Sequence, residues 1–216
     1  MRARTIIFIL TVSATASLAA CRPDARAGGG VALRDAGTAT PIKSPAVKLV
    51  VDGAIGQIGD TVAYDPSYVK LSYPGGDVPA DRGVCADVAV RAFRKAGVDL
   101  QKEVHEDMKR KFAAYPQIWN ARRPDSNIDH RRVPNLMTYF KRLKRNVPIT
   151  KSSKDYLPGD VVAWELDNGL VHIGIVSNVM ETGASSYSIV HNIGSGAQLE
   201  DVLFSWKIIG HYRYFN

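Results

Sequence analysis

Apolar residues recur at helical spacing from Ala46 to Ile58, and Gly59-Asp60 closes the run, so a helix is predicted there. A loop rich in Tyr, Pro and Gly follows, from Tyr64 through Tyr73-Pro-Gly-Gly76 to Pro79. The next periodic stretch starts at Cys85, with Asp81 placed to cap it, Val84, Val88, Ala92 and Phe93 on its apolar face, and Gly97 as its stop. From Asp99 to about Asp155 the pattern predicts a helix near Val104 to Ala114, a polar loop around Asn120 to Asp129, and another helix from about Pro134. Together these read as a helical insertion. The period then changes. Val161 to Trp164, Val171 to Ser177, Tyr187 to His191 and Lys207 to Tyr214 read as short strands, separated by Pro158-Gly-Asp160, Asp167-Asn-Gly169 and Thr182-Gly183. Asn168-Gly169 is a strong hairpin signal. Helices first and consecutive strands later predict an α+β domain with an antiparallel sheet, the Cys85 helix packing on it.

The segment ahead of this domain has a different character. Arg2 and Arg4 precede an apolar stretch from about Ile6 to Ala20 that ends in small residues, the layout of a signal peptide over residues 1–20. It is too short and too rich in Ser and Thr for a membrane-spanning helix. It finishes Leu18-Ala-Ala-Cys21, which resembles a bacterial lipobox and implies lipidation of Cys21; ordinary cleavage after Ala20 is the alternative. Arg22 and Pro23 stand where acidic sorting residues would, so a periplasm-facing lipoprotein of the outer membrane is expected. Residues 21–45 are rich in Ala, Gly, Thr and Pro and bury too little to offset ordering entropy, so they read as a flexible tether. Residues 46–216, about 170 in all, suffice for one domain with a sizeable core.

Charge adds a bias and excludes a class. Lys and Arg number 28 against 21 acidic residues, a formal +7, which falls to +5 once Arg2 and Arg4 leave with the signal. That excess suits anionic envelope polymers or acidic substrates. No basic stripe interleaved with aromatics is present, so nucleic-acid binding is not expected. With Cys21 acylated, the second of the two cysteines, Cys85, has no partner for an internal disulfide in an oxidising compartment.

A thiol in the first turn of a helix is a nucleophile candidate, because the unpaired N–H groups there favour the thiolate. Of the five histidines, His172 is the best candidate base: it follows a hairpin turn and opens an apolar strand that would hold it rigidly. A third polar residue must orient that imidazole. His191 ends the next strand, with Asn192 adjacent. The residues alone leave bland readings standing: Cys85 as a small buried hydrophobe, the histidines as ordinary hydrogen-bonded groups, and no spacing rule joining Cys85 to His172. Asp87 either pairs with Arg91 at i,i+4 or recognises substrate beside the nucleophile. Trp164 and Trp119 are core or rim aromatics, or sugar platforms. Asp129-His-Arg-Arg132 caps the next helix or contacts an anionic substrate. His105 and Asp107, with Asp129 and His130, suggest metal ligation, but a spacing of two on a helix points side chains apart and no His-Glu-x-x-His or Cys-x-x-Cys is present. Neither metal nor cofactor is expected.

Tyr73-Pro-Gly-Gly76, Cys85 heading a helix, Pro158-Gly-Asp-Val-Val-Ala-Trp164, His172-Ile-Gly-Ile-Val-Ser177 and Ile189-Val-His191 occur in the order seen in the NlpC-like papain-fold cell-wall peptidases, and the chain resembles that superfamily. Gly75-Gly-Asp-Val-Pro79 with Asp81-Arg-Gly-Val-Cys85, Asn127-Ile-Asp-His-Arg-Arg-Val-Pro-Asn135 and Val190-His-Asn-Ile-Gly194 resemble more closely a bacterial family of YijF-like proteins of unknown function, over about Leu49 to Phe215. The superfamily resemblance implies a papain-like fold with Cys85 as nucleophile, His172 as general base, His191 as the orienting residue, and the Cys85 N–H plus a second group holding the oxyanion. It implies a tyrosine lining the site, for which Tyr64 and Tyr73 compete, Tyr73 being preferred; Asp87, Asn192 and Trp164 complete the expected substrate side. Ala86-Asp87 replaces the usual Ser-Gly after the nucleophile, and Val84 the usual aspartate before it, which puts the shape of the groove in question. The implied activity is cysteine-dependent cleavage of an amide bond in peptidoglycan stem peptides. The alternatives are a non-catalytic envelope module that binds in the same groove, and acyl transfer through the same thioester.

Overall fold

The computed structural model describes residues 37–216; the signal segment and Cys21 lie outside them. Nine strands and four α-helices make up these residues. The short β1 (Thr38–Ala39) precedes α1 (Pro45–Ile55), and β2 (Ala63–Tyr64) and β3 (Arg82–Gly83) pair in parallel just before α2 (Cys85–Lys95). Next come α3 (Leu100–Lys111) and α4 (Val133–Arg142), then β4 (Val161–Glu165), β5 (Val171–Val176), β6 (Val179–Met180), β7 (Ile189–His191), β8 (Gln198–Glu200) and β9 (Lys207–Tyr212). Five of the strands form one antiparallel sheet in the order β8-β7-β5-β4-β9. This is an α+β arrangement with helices on one side of an antiparallel sheet.

Alternation along β4 and β5 divides the interior. Val161, Ala163, Ile173 and Ile175 face the helices and join Phe93, Leu100, Val104, Leu136 and Phe140 in the larger core. Val162, Trp164 and Val176 face the other way and pack with Tyr156, Ile189 and Leu203. Both faces of the central strands are therefore covered, which explains why these strands read as nearly unbroken apolar runs. Phe93 of α2 sits 5.7 Å from Phe140 of α4. Truncating such a ring to alanine costs roughly 3–5 kcal/mol, so α4 is fastened directly to the helix that carries Cys85.

Three expectations change. The stretch 99–155 is no appended insertion, because Leu100, Val104, Met108, Leu136 and Phe140 fill the same core as Phe93 and Ile173. Nor does order begin at residue 46: β1 pairs antiparallel with β6 through Thr38↔Met180 and Ala39↔Val179, and Asn178 Nδ2 donates to the Thr40 carbonyl at 2.8 Å. A low-complexity stretch gained order there because a strand edge accepted its backbone. Asp81 does not cap α2 either; it turns to the Arg82 guanidinium, and Val84 occupies the cap position.

Candidate active site

Helix α2 starts at Cys85 because Asp87, two residues on, folds its carboxylate back: Oδ2 accepts the Val84 N–H at 2.7 Å, satisfying one of the orphan donors of the helix start. A Cβ at Gly83 would lie 2.9 Å from that Oδ2, so glycine keeps the carboxylate's place open. The Arg131 guanidinium then closes on Asp87 from Nε to Oδ1 at 2.9 Å and from Nη2 to Oδ2 at 3.0 Å, and also donates to the carbonyls of Ser67 and Asp65. The Asp87–Arg131 pair is almost wholly buried. Asp87 therefore neither pairs with Arg91 nor faces substrate. Arg91 sits outside on α2 and pairs with Asp77 at 2.9 Å.

Asn192 also serves the cysteine turn. Fully buried after β7, its Nδ2 donates to the Gly83 carbonyl at 3.0 Å and to the Ala63 carbonyl at 3.3 Å. It ties the end of a sheet strand to the peptide that leads into Cys85, and has no free face for substrate.

His172 and His191 meet through an opening in the sheet. Strand β7 pairs with β5 only at Ile175↔Val190 and Val176↔Ile189. On the His172 face of β5 the next position is Gly174, where an added Cβ would lie 2.6 Å from Ile189 Cγ2 and 3.2 Å from His191 Cβ. Glycine leaves the space that His191 occupies. The rings then meet, with His172 Nε2 2.8 Å from His191 Nδ1, and His191 Nε2 lies 2.7 Å from Glu200 Oε2 on β8.

This order of contacts assigns the tautomers. A carboxylate only accepts, so His191 Nε2 carries its proton toward Glu200, which leaves His191 Nδ1 as an acceptor. His172 must then donate from Nε2, and its Nδ1 is left with a bare lone pair. No protein hydrogen bond occupies that nitrogen among the described residues. Trp164 and Trp206 hold the imidazole from the sides, their rings 5.8 and 5.9 Å from His172. Trp164 is fully buried and donates Nε1 to the Leu203 carbonyl at 3.0 Å, so it packs against the histidine and does not touch substrate.

Cys85 is brought against the same stretch of β5. The Ile173 N–H, next after His172, acts on the Cys85 sulfur, and Val171, just before it, lines the same cavity as Cys85. That cavity, about 200 Å³, is walled by Tyr64, Trp119, Ile128 and Arg132 among others. A larger cavity of about 720 Å³ between α1 and α2 holds no thiol and is lined by Asp77, Arg91 and Arg94. Of the two tyrosines, it is Tyr64 that faces the thiol. Tyr73 lies elsewhere, donating to Glu106 Oε1 at 2.7 Å with its ring edge-on to His105 at 5.0 Å.

The electrostatics run against one expectation. Burial pushes the Cys85 thiol up to about 12, outweighing the Ile173, Ala86 and Cys85 N–H groups, which pull the other way. A helix start lowers a thiol only where burial does not outweigh it, and Cys85 is buried. Burial likewise drives His172 down to about 3, with His191 adding to the shift. His191 is lowered by burial while Glu200 opposes the change. At rest both groups are therefore neutral, a thiol at Cys85 and an imidazole at His172.

Among the described residues no group of His, Cys, Asp and Glu is arranged to hold a metal ion, and no helix is long and apolar enough to cross a membrane. Asp107 is taken up by Arg142 at 2.6 Å and Tyr115 at 2.7 Å, facing away from His105.

Residues 51–214 match the family model described as a domain of unknown function, DUF1287. The chain belongs to this family. The Escherichia coli member described as uncharacterized protein YijF is 54% identical over 197 residues, spanning 86% of this chain and 96% of that protein. No solved structure matches the DUF1287 fold seen here. The DUF1287 match covers the Cys85 turn, both histidines and Glu200 alike.

Glu200 is the residue the sequence did not reveal. It sits on a three-residue, half-buried strand, Gln198-Leu-Glu200, whose pattern is too short to announce itself. A signal was present in retrospect: a histidine buried in a sheet takes hydrogen-bond partners for its ring nitrogens, and the neighbouring strand is one place to look for an acceptor.

Proposed function

We propose that the chain is a cysteine hydrolase of papain-like, NlpC-type architecture that cleaves an amide bond in peptidoglycan stem peptides. The observation that carries this reading is the Glu200–His191–His172 chain, which leaves His172 Nδ1 without a protein partner, one residue before the Ile173 N–H that meets the Cys85 sulfur. A helix packed on an antiparallel sheet, with its first residue against β5, fits the same reading.

In the proposed cycle His172 Nδ1 takes the Cys85 proton as Sγ bonds to the substrate carbonyl carbon. The Cys85 N–H and the Tyr64 hydroxyl hold the developing oxyanion. His172 then passes its proton to the amide nitrogen, the C–N bond breaks, and the amine leaves. Water, deprotonated by His172, attacks the thioester and frees both the acid and the thiol. Charge separation between two buried neutral groups is costly, so the proton moves with the attack and not before it. The signal and tether fit an outer-membrane lipoprotein anchored through Cys21 and facing the periplasm.

The elevated Cys85 thiol favours a second reading, a non-catalytic module that binds an envelope peptide in this groove. Acyl transfer would use the same thioester with an amine in place of water. Peptidoglycan incubated with the domain from about residue 37, beside its Cys85→Ala variant, separates them by mass spectrometry of the released fragments. New fragments only from the unaltered domain support hydrolysis, and fragments bearing an added amine support transfer. No fragments, with peptidoglycan retained by both proteins, overturn the enzyme reading in favour of binding.

A further inference from the structure

The cavity at Cys85 does not end at the thiol. Trp119, Ile128 and Arg132 form a wall shared with a second cavity of about 580 Å³ that runs toward Tyr68 and His105. The Arg132 guanidinium sits over Trp119, its Cζ 4.3 Å from the ring centroid. Its nearest carboxylate oxygen, Asp129 Oδ1, is 3.7 Å away, beyond a hydrogen bond, and that oxygen has no other partner. Arg123 lines the second cavity and makes no ion pair among the described residues. Arg131, by contrast, is consumed by Asp87. The cavity thus holds two guanidinium groups with unused donors and one facing carboxylate, Asp125, which is engaged by Tyr68 and Asn127.

Trp119 and the following Asn120 both adopt left-handed backbone, φ 66° and 53°. Such positions cost of order 1 kcal/mol or more each and persist where the surroundings hold them. The indole they carry lines both cavities, with Arg132 against it.

We propose that Trp119, Arg123 and Arg132 form a subsite for a carboxylate carried by the substrate next to the bond that Cys85 attacks. A planar guanidinium matches a carboxylate with two parallel hydrogen bonds. The two guanidinium charges face the Asp125 carboxylate and, 3.7 Å from Arg132, the Asp129 carboxylate, so the cavity carries no large positive excess, which suits a monoanion better than a phosphate dianion. The indole face covers the apolar part of the same residue. This deepens the hydrolase reading by naming a substrate class, and it rests on that reading only for the position of the scissile bond.

The test measures binding apart from turnover. Soluble peptidoglycan fragments are prepared in native form and with their carboxylates converted to carboxamides, and both are titrated by calorimetry against the full chain, its Arg132→Gln and its Arg123→Gln forms, all carrying Cys85→Ala. Inorganic phosphate is titrated alongside. The expected result is native fragments binding about tenfold more tightly than amidated ones, with that preference falling at least threefold in either arginine variant and phosphate binding weakly. Arg123 is exposed and unpaired, so its variant keeps the test valid should Arg132→Gln disturb Asp129. Equal affinity for both fragment forms, binding of neither, phosphate binding as tight as the native fragments, or a preference untouched by both substitutions overturns the subsite. A carboxylate preference in a chain that cleaves nothing would keep the subsite and refute the hydrolase.

Discussion

Replacing Glu200 by Gln removes one charge and leaves an oxygen able to accept from His191 Nε2, so it isolates what the charge contributes. The contact is 2.7 Å, and the Glu200 side chain is 41% exposed. A hydrogen bond to a charged group contributes about 1.5–3 kcal/mol against about 0.5–1.5 for a neutral one, and partial exposure screens the difference to about 1 kcal/mol. That difference acts when His172 becomes imidazolium, so turnover of peptidoglycan fragments should fall roughly five- to tenfold with KM unchanged. Glu200→Leu goes further, since His191 then has no reason to keep its proton on Nε2. If the proton moves to Nδ1, His172 must turn its own proton to Nδ1 and ceases to be a base; the loss should exceed about a hundredfold. Both variants should melt within a few degrees of the unaltered domain. Turnover within twofold for both, or a larger loss for Gln than for Leu, would refute the tautomer argument.

Cys85, held at about 12, should react with iodoacetamide at pH 7 more slowly than glutathione and accelerate only as pH rises well above neutrality; rapid labelling at pH 6 by mass spectrometry would contradict this. Acid should destabilise the fold: burial holds His172 and His130 neutral, at about 3 and about 4, so their contribution is complete above the unfolded value of 6.5 and shrinks as pH falls below it, while buried Asp129, raised to about 6, partly offsets the loss. From pH 7 to pH 5 the net change is about 2 kcal/mol of lost stability, read from denaturant unfolding at the two pH values; equal or greater stability at pH 5 would contradict it. Gly174→Ala should push Ile189 and His191 away from β5, costing about 1–3 kcal/mol and most of the activity; full turnover would show that His191 need not sit there.

The α+β arrangement was legible because apolar period and turn residues reported it directly: Asn168-Gly169 marks the β4–β5 hairpin, with Gly169 at φ 78°. Helices α2, α3 and α4 lay within a few residues of their expected places. What stayed hidden depends on partners distant in sequence. β1 exists only because β6 offers an edge, and β2 and β3 exist only because each supplies the other. In the site, Cys85, His172 and His191 could be named from position and resemblance. The fates of Asp87, Asn192 and Trp164 could not, because each is consumed by a contact tens of residues away: Arg131, the Gly83 carbonyl and the Leu203 carbonyl. The thiol's acidity was misjudged because a helix start is local and visible, whereas burial beneath β5 belongs to the whole fold.

The most direct test of the central claim is intact-protein mass spectrometry of the domain quenched in acid during turnover of peptidoglycan fragments. The account expects a transient mass increase equal to one acyl fragment, mapped to the peptide containing Cys85 and absent from Cys85→Ala. Fragment release that continues in Cys85→Ala, or an adduct mapped to any other residue, would contradict it.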